Sequence, residues 1–143
     1  MSTKRSEGLR ALICEDDAPI RRMMETMLRR DGFTVVAVGD GAAATEHLGT
    51  ADFDLIVLDL MMPGVNGFEV LAFLQENKPR RLKRVLITTA IPSAMASGIP
   101  PSICHVLPKP FDMVDFVRHA RECAEDTLTR KTKRSLSPAP SPA

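Results

Sequence analysis

The chain has 143 residues, the length of one ordinary domain, and its 44% hydrophobic and 26% charged residues suit a globular chain rather than a disordered one. No apolar run approaches the roughly 18 residues of a membrane span, and residues 1–8 lack the apolar core of a signal peptide. The three cysteines have no metal-ligand or redox-motif spacing, which argues against secretion, a disulfide scaffold or a cysteine zinc site, and the net charge of +1 divides into a mildly acidic body (15 basic and 18 acidic residues to Asp126) and a basic end (four basic, none acidic, from Thr127).

Leu9 to Cys14 is a short apolar run ending in acids and predicts a buried strand. A helix follows, with Asp17 at its start, Pro19 in its first turn, and an apolar stripe of Ile20, Met23, Met24, Met27 and Leu28 that stops at Asp31-Gly32. Methionines at this spacing read as core filling rather than a cofactor box. Phe33 to Val38, rich in β-branched residues, predicts a second strand, and Asp40 caps a short alanine-rich helix reaching Leu48. Leu55 to Leu58 is apolar on both faces and predicts a central parallel strand. Phe68 to Asn77 predicts a helix with Val70, Leu71 and Leu74 on one side. Val85 to Thr88 and His105 to Leu107 predict the fourth and fifth strands. The last helix opens at Asp112, with Asp115 as a capping-box variant, and buries Met113, Phe116, Val117 and Ala120.

Strand–helix alternation repeated about five times predicts an α/β fold, a doubly wound five-stranded parallel sheet with its functional crevice at the carboxyl ends of the strands. One unit breaks the pattern. Between Ala90 and Lys109, Pro92, Pro100, Pro101 and Pro108 leave only Ser93 to Ser97 room for about one helical turn, so the fourth helix is expected to be short, distorted or absent. Residues 9–126 form the domain, preceded by a disordered stretch at 1–8. Residues 127–143 read as a disordered basic Pro/Ser-rich tail. Too few residues remain for a nucleic-acid-binding output domain, so direct nucleic-acid binding is not expected.

Acids collect where the first and third strands end: Glu15, Asp16 and Asp17 after one, Asp59 after the other. Carboxylates gathered together repel unless a cation sits among them, and an all-oxygen, water-accessible set suits Mg²⁺. The competing reading has these acids solvated or capping the next helix, and Asp17 reads as such a cap. A tight turn with Pro63, Gly64 and Gly67 follows Asp59, Thr89 follows the fourth strand, and Lys109 follows the fifth. A hydroxyl and an ammonium facing acids and a divalent ion form a cradle for phosphoryl oxygens.

In the order CEDD (Cys14 to Asp17), DLMMPGVNG (Asp59 to Gly67), TA (Thr89-Ala90) and KPF (Lys109 to Phe111), the sequence resembles the receiver domains of two-component response regulators, over about Leu9 to Glu125 and in the stand-alone, chemotaxis-regulator-like form. The resemblance implies a flavodoxin-like sheet of order 2-1-3-4-5. It implies that Asp59 accepts a phosphoryl group from a histidine kinase or phosphorelay protein, and that Glu15, Asp16 and Asp59 hold Mg²⁺ with the backbone carbonyl of Met61. Thr89 would bind the phosphoryl group, Lys109 would pair with it, and Lys109-Pro110 would be cis. It also implies a cytoplasmic signalling protein rather than an enzyme, acting on a downstream protein without a membrane. A phosphatase working through an aspartyl phosphate fits poorly, because the second acid usual in such enzymes is replaced by Met61. The family usually carries Tyr or Phe three residues before the lysine, whereas this chain has Val106 there. That departure keeps open a receiver-like interaction module that does not switch.

Overall fold

The structure, a computed structural model, describes residues 6–62, 64, 66–90 and 98–136, with 126–136 described as backbone alone. Strands β1 (Arg10–Cys14), β3 (Leu55–Leu58) and β4 (Val85–Thr89) are runs of Leu, Ile and Val buried along nearly their whole length. That is the signature of parallel strands covered on both faces. The more open β2 (Thr34–Val38) and β5 (His105–Pro108) lie at the edges of the sheet. All neighbours pair in parallel, in the order β2-β1-β3-β4-β5. This is the expected doubly wound, flavodoxin-like sheet.

Period-two alternation divides the apolar residues between two cores. Ile13, Val57 and Leu86 face α1 (Ala18–Arg30) and α4 (Met113–Leu136), whose Met24, Leu28 and Phe116 fill that side. Leu12, Ile56, Leu58 and Ile87 face α2 (Gly41–Thr50) and α3 (Gly67–Asn77), whose Leu48, Leu71 and Leu74 fill the other. Complete burial of a side chain such as Phe116 contributes about 1.5–3 kcal/mol. Register sets Cys14 beside Leu58, Leu58 beside Ile87, and Thr89 beside Pro108. The residues that follow these strands therefore emerge at one edge, where the connections after β1 and β3 leave for opposite faces.

Each described α-helix start is capped by a side chain. Asp17, Asp40, Asn66 and Asp112 accept the N–H of Ile20 (3.0 Å), Ala43 (2.8 Å), Glu69 (3.2 Å) and Asp115 (2.7 Å) respectively. A 3-10 helix over Pro79–Arg84, which the sequence pattern did not suggest, leads from α3 into β4.

Several expectations need correction. The sequence pattern places Met23 in the core stripe of α1, whereas it is 54% exposed. At about 100° per residue it stands round the helix from Met24, outside the arc facing the sheet. The disordered start at 1–8 does not extend to Ser6, which is buried. Its N–H and hydroxyl both bond Asp31, at 2.8 Å each. The tail expected from Thr127 instead continues α4 to Leu136. Leu, Arg and Lys are good helix formers, no proline intervenes before Pro138, and cations near a helix C-terminus are favourable. Residues 137–143 lie outside the described residues, as does Ser93 to Ser97, where about one helical turn was expected. Finally, against the expectation of no disulfide scaffold, Cys104 and Cys123 form a disulfide with their Cα atoms 5.6 Å apart. The parallel sheet brings the start of β5 against the middle of α4, a proximity that a separation of 19 residues does not announce.

Candidate functional site

Glu15 and Asp16 follow β1, Asp59 follows β3, Thr89 closes β4, and Lys109 follows β5. Carboxylate oxygens of Glu15, Asp16 and Asp59 lie within 4.8 Å of one another, with Glu15 and Asp59 buried and Asp16 exposed. From the opposite side, Lys109 Nζ donates to Glu15 Oε1 at 2.6 Å and to Asp59 Oδ2 at 3.0 Å. The Lys109-Pro110 peptide bond is cis, and the Lys109 N–H donates to Thr89 O at 2.9 Å, which ties the ends of β4 and β5 together. Asp17 stays out of the cluster and caps α1, as expected.

Burial pushes the Glu15 carboxyl above its ordinary value, outweighing the Lys109 and Asp17 hydrogen bonds that favour its charge. Burial opposes the Lys109 charge as well. There the bonds to Glu15 and Asp59 win, and the ammonium is held above the usual lysine value. Three carboxylates against one ammonium leave the pocket under-compensated, and its donors are hard oxygens. That set fits Mg²⁺, which takes one or two carboxylates directly and keeps several waters. Beneath it the Cys14 thiol is pushed up to about 12, first by burial and then by the charges of Asp40, Asp59, Glu15 and Asp16. It stays protonated and offers no competing nucleophile.

Backbone geometry holds the acids in place. The Met61 N–H donates to Asp59 Oδ1 at 3.0 Å, folding the chain after β3 back over the carboxylate. A Cβ on Gly67 would stand 2.4 Å from Asp59 O and 2.5 Å from Leu60 Cα, so only glycine lets α3 begin this close. Gly64, in the same turn, has a φ of 73°, the left-handed region that favours glycine. Arg21 donates to the carbonyls of Glu15 at 2.8 Å and Asp16 at 3.4 Å and clamps the loop after β1. Sequence reasoning missed Arg21. Its partners are main-chain carbonyls, so the sequence carried no signal for it.

The two threonines of β4 separate by alternation. Thr88 shares the face of Leu86 and is fully buried, its hydroxyl without a partner among the described residues. Thr89 shares the face of Ile87 and meets the Lys109 main chain. Val106 lies on β5, half-buried against the α2–α3 core.

Residues 11–121 match the family described as the response regulator receiver domain. The chain belongs to that family. Curated relatives include the transcriptional activator protein PfeR of Pseudomonas aeruginosa, 31% identical over 90% of this chain, and the transcriptional regulatory protein CutR of Streptomyces coelicolor, 33% identical over 91%. The chain spans 40% of the first and 58% of the second, so it corresponds to part of each. Among solved structures, a receiver domain of a Francisella response regulator superposes with a TM-score of 0.73 at 24% identity, covering 84% of this chain and 99% of that one. The receiver domain of a Pseudomonas aeruginosa sensor histidine kinase, solved with magnesium in its active-site cleft, superposes at 0.73 and 22% identity, covering 82% and 98%. The Thermotoga maritima response regulator TrrA, in complex with Mg(2+)-BeF, superposes at 0.70 and 21% identity, covering 80% and 98%. These likenesses show the fold. Receiver domains are signalling modules that bind Mg²⁺ at an acidic pocket, and this receiver carries such a cluster in Glu15, Asp16 and Asp59.

Proposed function

We propose that this receiver accepts a phosphoryl group on Asp59 from the phosphohistidine of a histidine kinase or histidine phosphotransfer protein, in a Mg²⁺-dependent reaction, and signals from the cytoplasm by contact with a downstream protein. The observation that carries this reading is Lys109 reaching two buried carboxylates, Glu15 and Asp59, beside the exposed Asp16. An ammonium facing one nucleophilic carboxylate and a cation-binding pair is what in-line phosphoryl transfer needs, since such transfer is mostly positioning and charge neutralisation. Glu15, Asp16 and Asp59 would hold the ion with the carbonyl of Met61, and bound Mg²⁺ would neutralise charge on the phosphoryl oxygens.

An Asp59 carboxylate oxygen attacks phosphorus as the donor's P–N bond breaks, and the electron pair leaves with the imidazole nitrogen. Lys109 then exchanges a carboxylate partner for a phosphoryl oxygen, and Thr89 offers its hydroxyl from the end of β4. A groove of about 320 Å³ lined by Ile20, Ala90, Lys109, Pro110, Phe111 and Met113 opens beside Lys109. Its apolar lining supports delivery by a protein rather than by a free metabolite.

Acetyl phosphate with Mg²⁺ should add one phosphoryl group, and EDTA or Asp59→Asn should prevent it. Labelling retained in Asp59→Asn would overturn the assignment, and continuous phosphate release would indicate a phosphatase. Val106, in place of the usual aromatic, favours one second reading, an interaction module that does not switch. Amide exchange unchanged by beryllofluoride across Ala90 to Val106 would support that reading instead.

A further inference from the structure

The seam where β5 meets α4 lies outside the acidic pocket, and its groups play no part in phosphoryl transfer. Cys104, half-buried at the start of β5, is bonded to Cys123, which is 1% exposed on α4. Beside the bond, the rings of His105 and His119 stack with centroids 3.8 Å apart and planes 12° from parallel. His119 precedes Cys123 by one helical turn on the same face, and His105 directly follows Cys104. Each sulfur thus has an imidazole as a close neighbour in the chain or on the helix.

α4 and β5 are held by more than this cross-link. α4 is already held by the burial of Phe116, Val117, Ala120 and Ala124 and by the Arg121–Asp31 ion pair. β5 is held by its ladder to β4, which begins where the Cys104 N–H meets Val85 O at 3.1 Å. Two apolar cores in a domain of this length need no staple, unlike the small cores that disulfides rescue. A metal centre is not the better reading. Among the described residues, the acidic pocket alone gathers three or more potential ligand groups within 4.8 Å.

We propose that Cys104 and Cys123 are a redox-active pair, a thiol–disulfide modification site that exchanges with low-molecular-weight thiols and disulfides. In reduction, a small thiolate attacks the more accessible Cys104 sulfur and the S–S bond breaks, leaving its electron pair on Cys123 sulfur. A second small thiolate attacks the mixed disulfide, displaces Cys104 thiolate and departs as the small disulfide. Two electrons have moved to the protein, and each protein thiolate takes up a proton. His119, one helical turn before Cys123 on α4, is the imidazole we assign to assist that proton transfer; its buried Nδ1 lies 3.3 Å from Glu122 Oε2 and has no hydrogen bond among the described residues. Closure joins the residue just before β5 to the middle of α4.

The test titrates the full chain against reduced and oxidised glutathione, with alkylation mapped by mass spectrometry and helix content followed by circular dichroism. The expected result is an intact bond in oxidised glutathione and two added alkyl groups, on Cys104 and Cys123, in reduced glutathione, with helix content unchanged. His119→Gln should slow exchange several-fold while leaving the end point in place. Three results would overturn the proposal: a bond that resists excess dithiothreitol until the chain unfolds, no bond formed by oxidised glutathione, or stoichiometric Zn²⁺ capture by the reduced chain. Cys104→Ser, scanned by urea unfolding, separates loss of exchange from loss of fold.

Discussion

At the carboxyl edge of the sheet, three carboxylates cluster in a partly buried pocket and two of them pair with one ammonium. At the β5–α4 seam, two sulfurs and two imidazoles pack between a strand and a helix that are already held by apolar burial. Both regions are junctions of the same strand–helix repeat, but the roles proposed for them would make them respond to different agents. The edge carries uncompensated negative charge, so its stability and chemistry should follow the concentration of a divalent cation. The seam carries no such excess, so it should follow redox conditions and ignore the cation.

The largest expected effect comes from Lys109→Met. Removing one partner from a buried ionic group costs about 3–5 kcal/mol because the remaining charges stay buried. Urea unfolding in EDTA should show a loss of that order, and millimolar Mg²⁺ should recover part of it by binding the folded state. Cys123→Ser should shift stability equally with and without Mg²⁺. A Mg²⁺-independent Lys109→Met loss would break the contrast between the two regions.

Gly67→Ala comes next. Its Cβ meets the Asp59 and Leu60 backbone rather than a side chain that could turn away. Overpacking against rigid neighbours costs about 1–3 kcal/mol. The displaced Asp59 should also weaken Mg²⁺ binding by calorimetry, while disulfide formation at the seam stays unchanged.

The smallest effect is in the pH profile. Glu15, raised by burial, takes up its proton in the folded chain at a higher pH than in the unfolded chain. Its contribution is fully present below the unfolded carboxylate value, about 4.3, and is lost as pH rises through the folded value. Lys109, also raised, behaves the same way in the alkaline range, its contribution lost as pH rises through the folded value. Without Mg²⁺, Tm should therefore fall modestly as Glu15 ionises, and again in the alkaline range. With Mg²⁺ the first trend should reverse, because the ion requires the deprotonated ligand. Parallel profiles with and without the ion would argue against Glu15 as a ligand.

The two regions also differed in how far the sequence disclosed them. The edge was legible because each of its groups follows a strand that composition alone reveals, as Asp59 follows the apolar Leu55 to Leu58. Lys109 stands beside a proline that punctuates the chain. Arg21 escaped notice because its partners are backbone carbonyls, which no side-chain pattern encodes. Gly67 looked like turn chemistry, whereas its role is the close approach of α3 to the end of β3. At the seam, the Cys104–Cys123 pairing depends on how far α4 runs back along β5, a tertiary fact invisible in local spacing. The helical continuation to Leu136 was read as tail because a basic run suits a solvated segment and a helix terminus equally well.

The central claim is that Asp59 carries the phosphoryl group, and borohydride trapping tests it most directly. Hydride reduces an aspartyl phosphate to homoserine and leaves free carboxylates untouched, so the modified position is located by peptide mass. After acetyl phosphate and Mg²⁺, the account predicts homoserine at position 59 alone, with Glu15, Asp16 and Asp17 unchanged. Homoserine absent from position 59, or a reduced side chain at any of the other three, would contradict it.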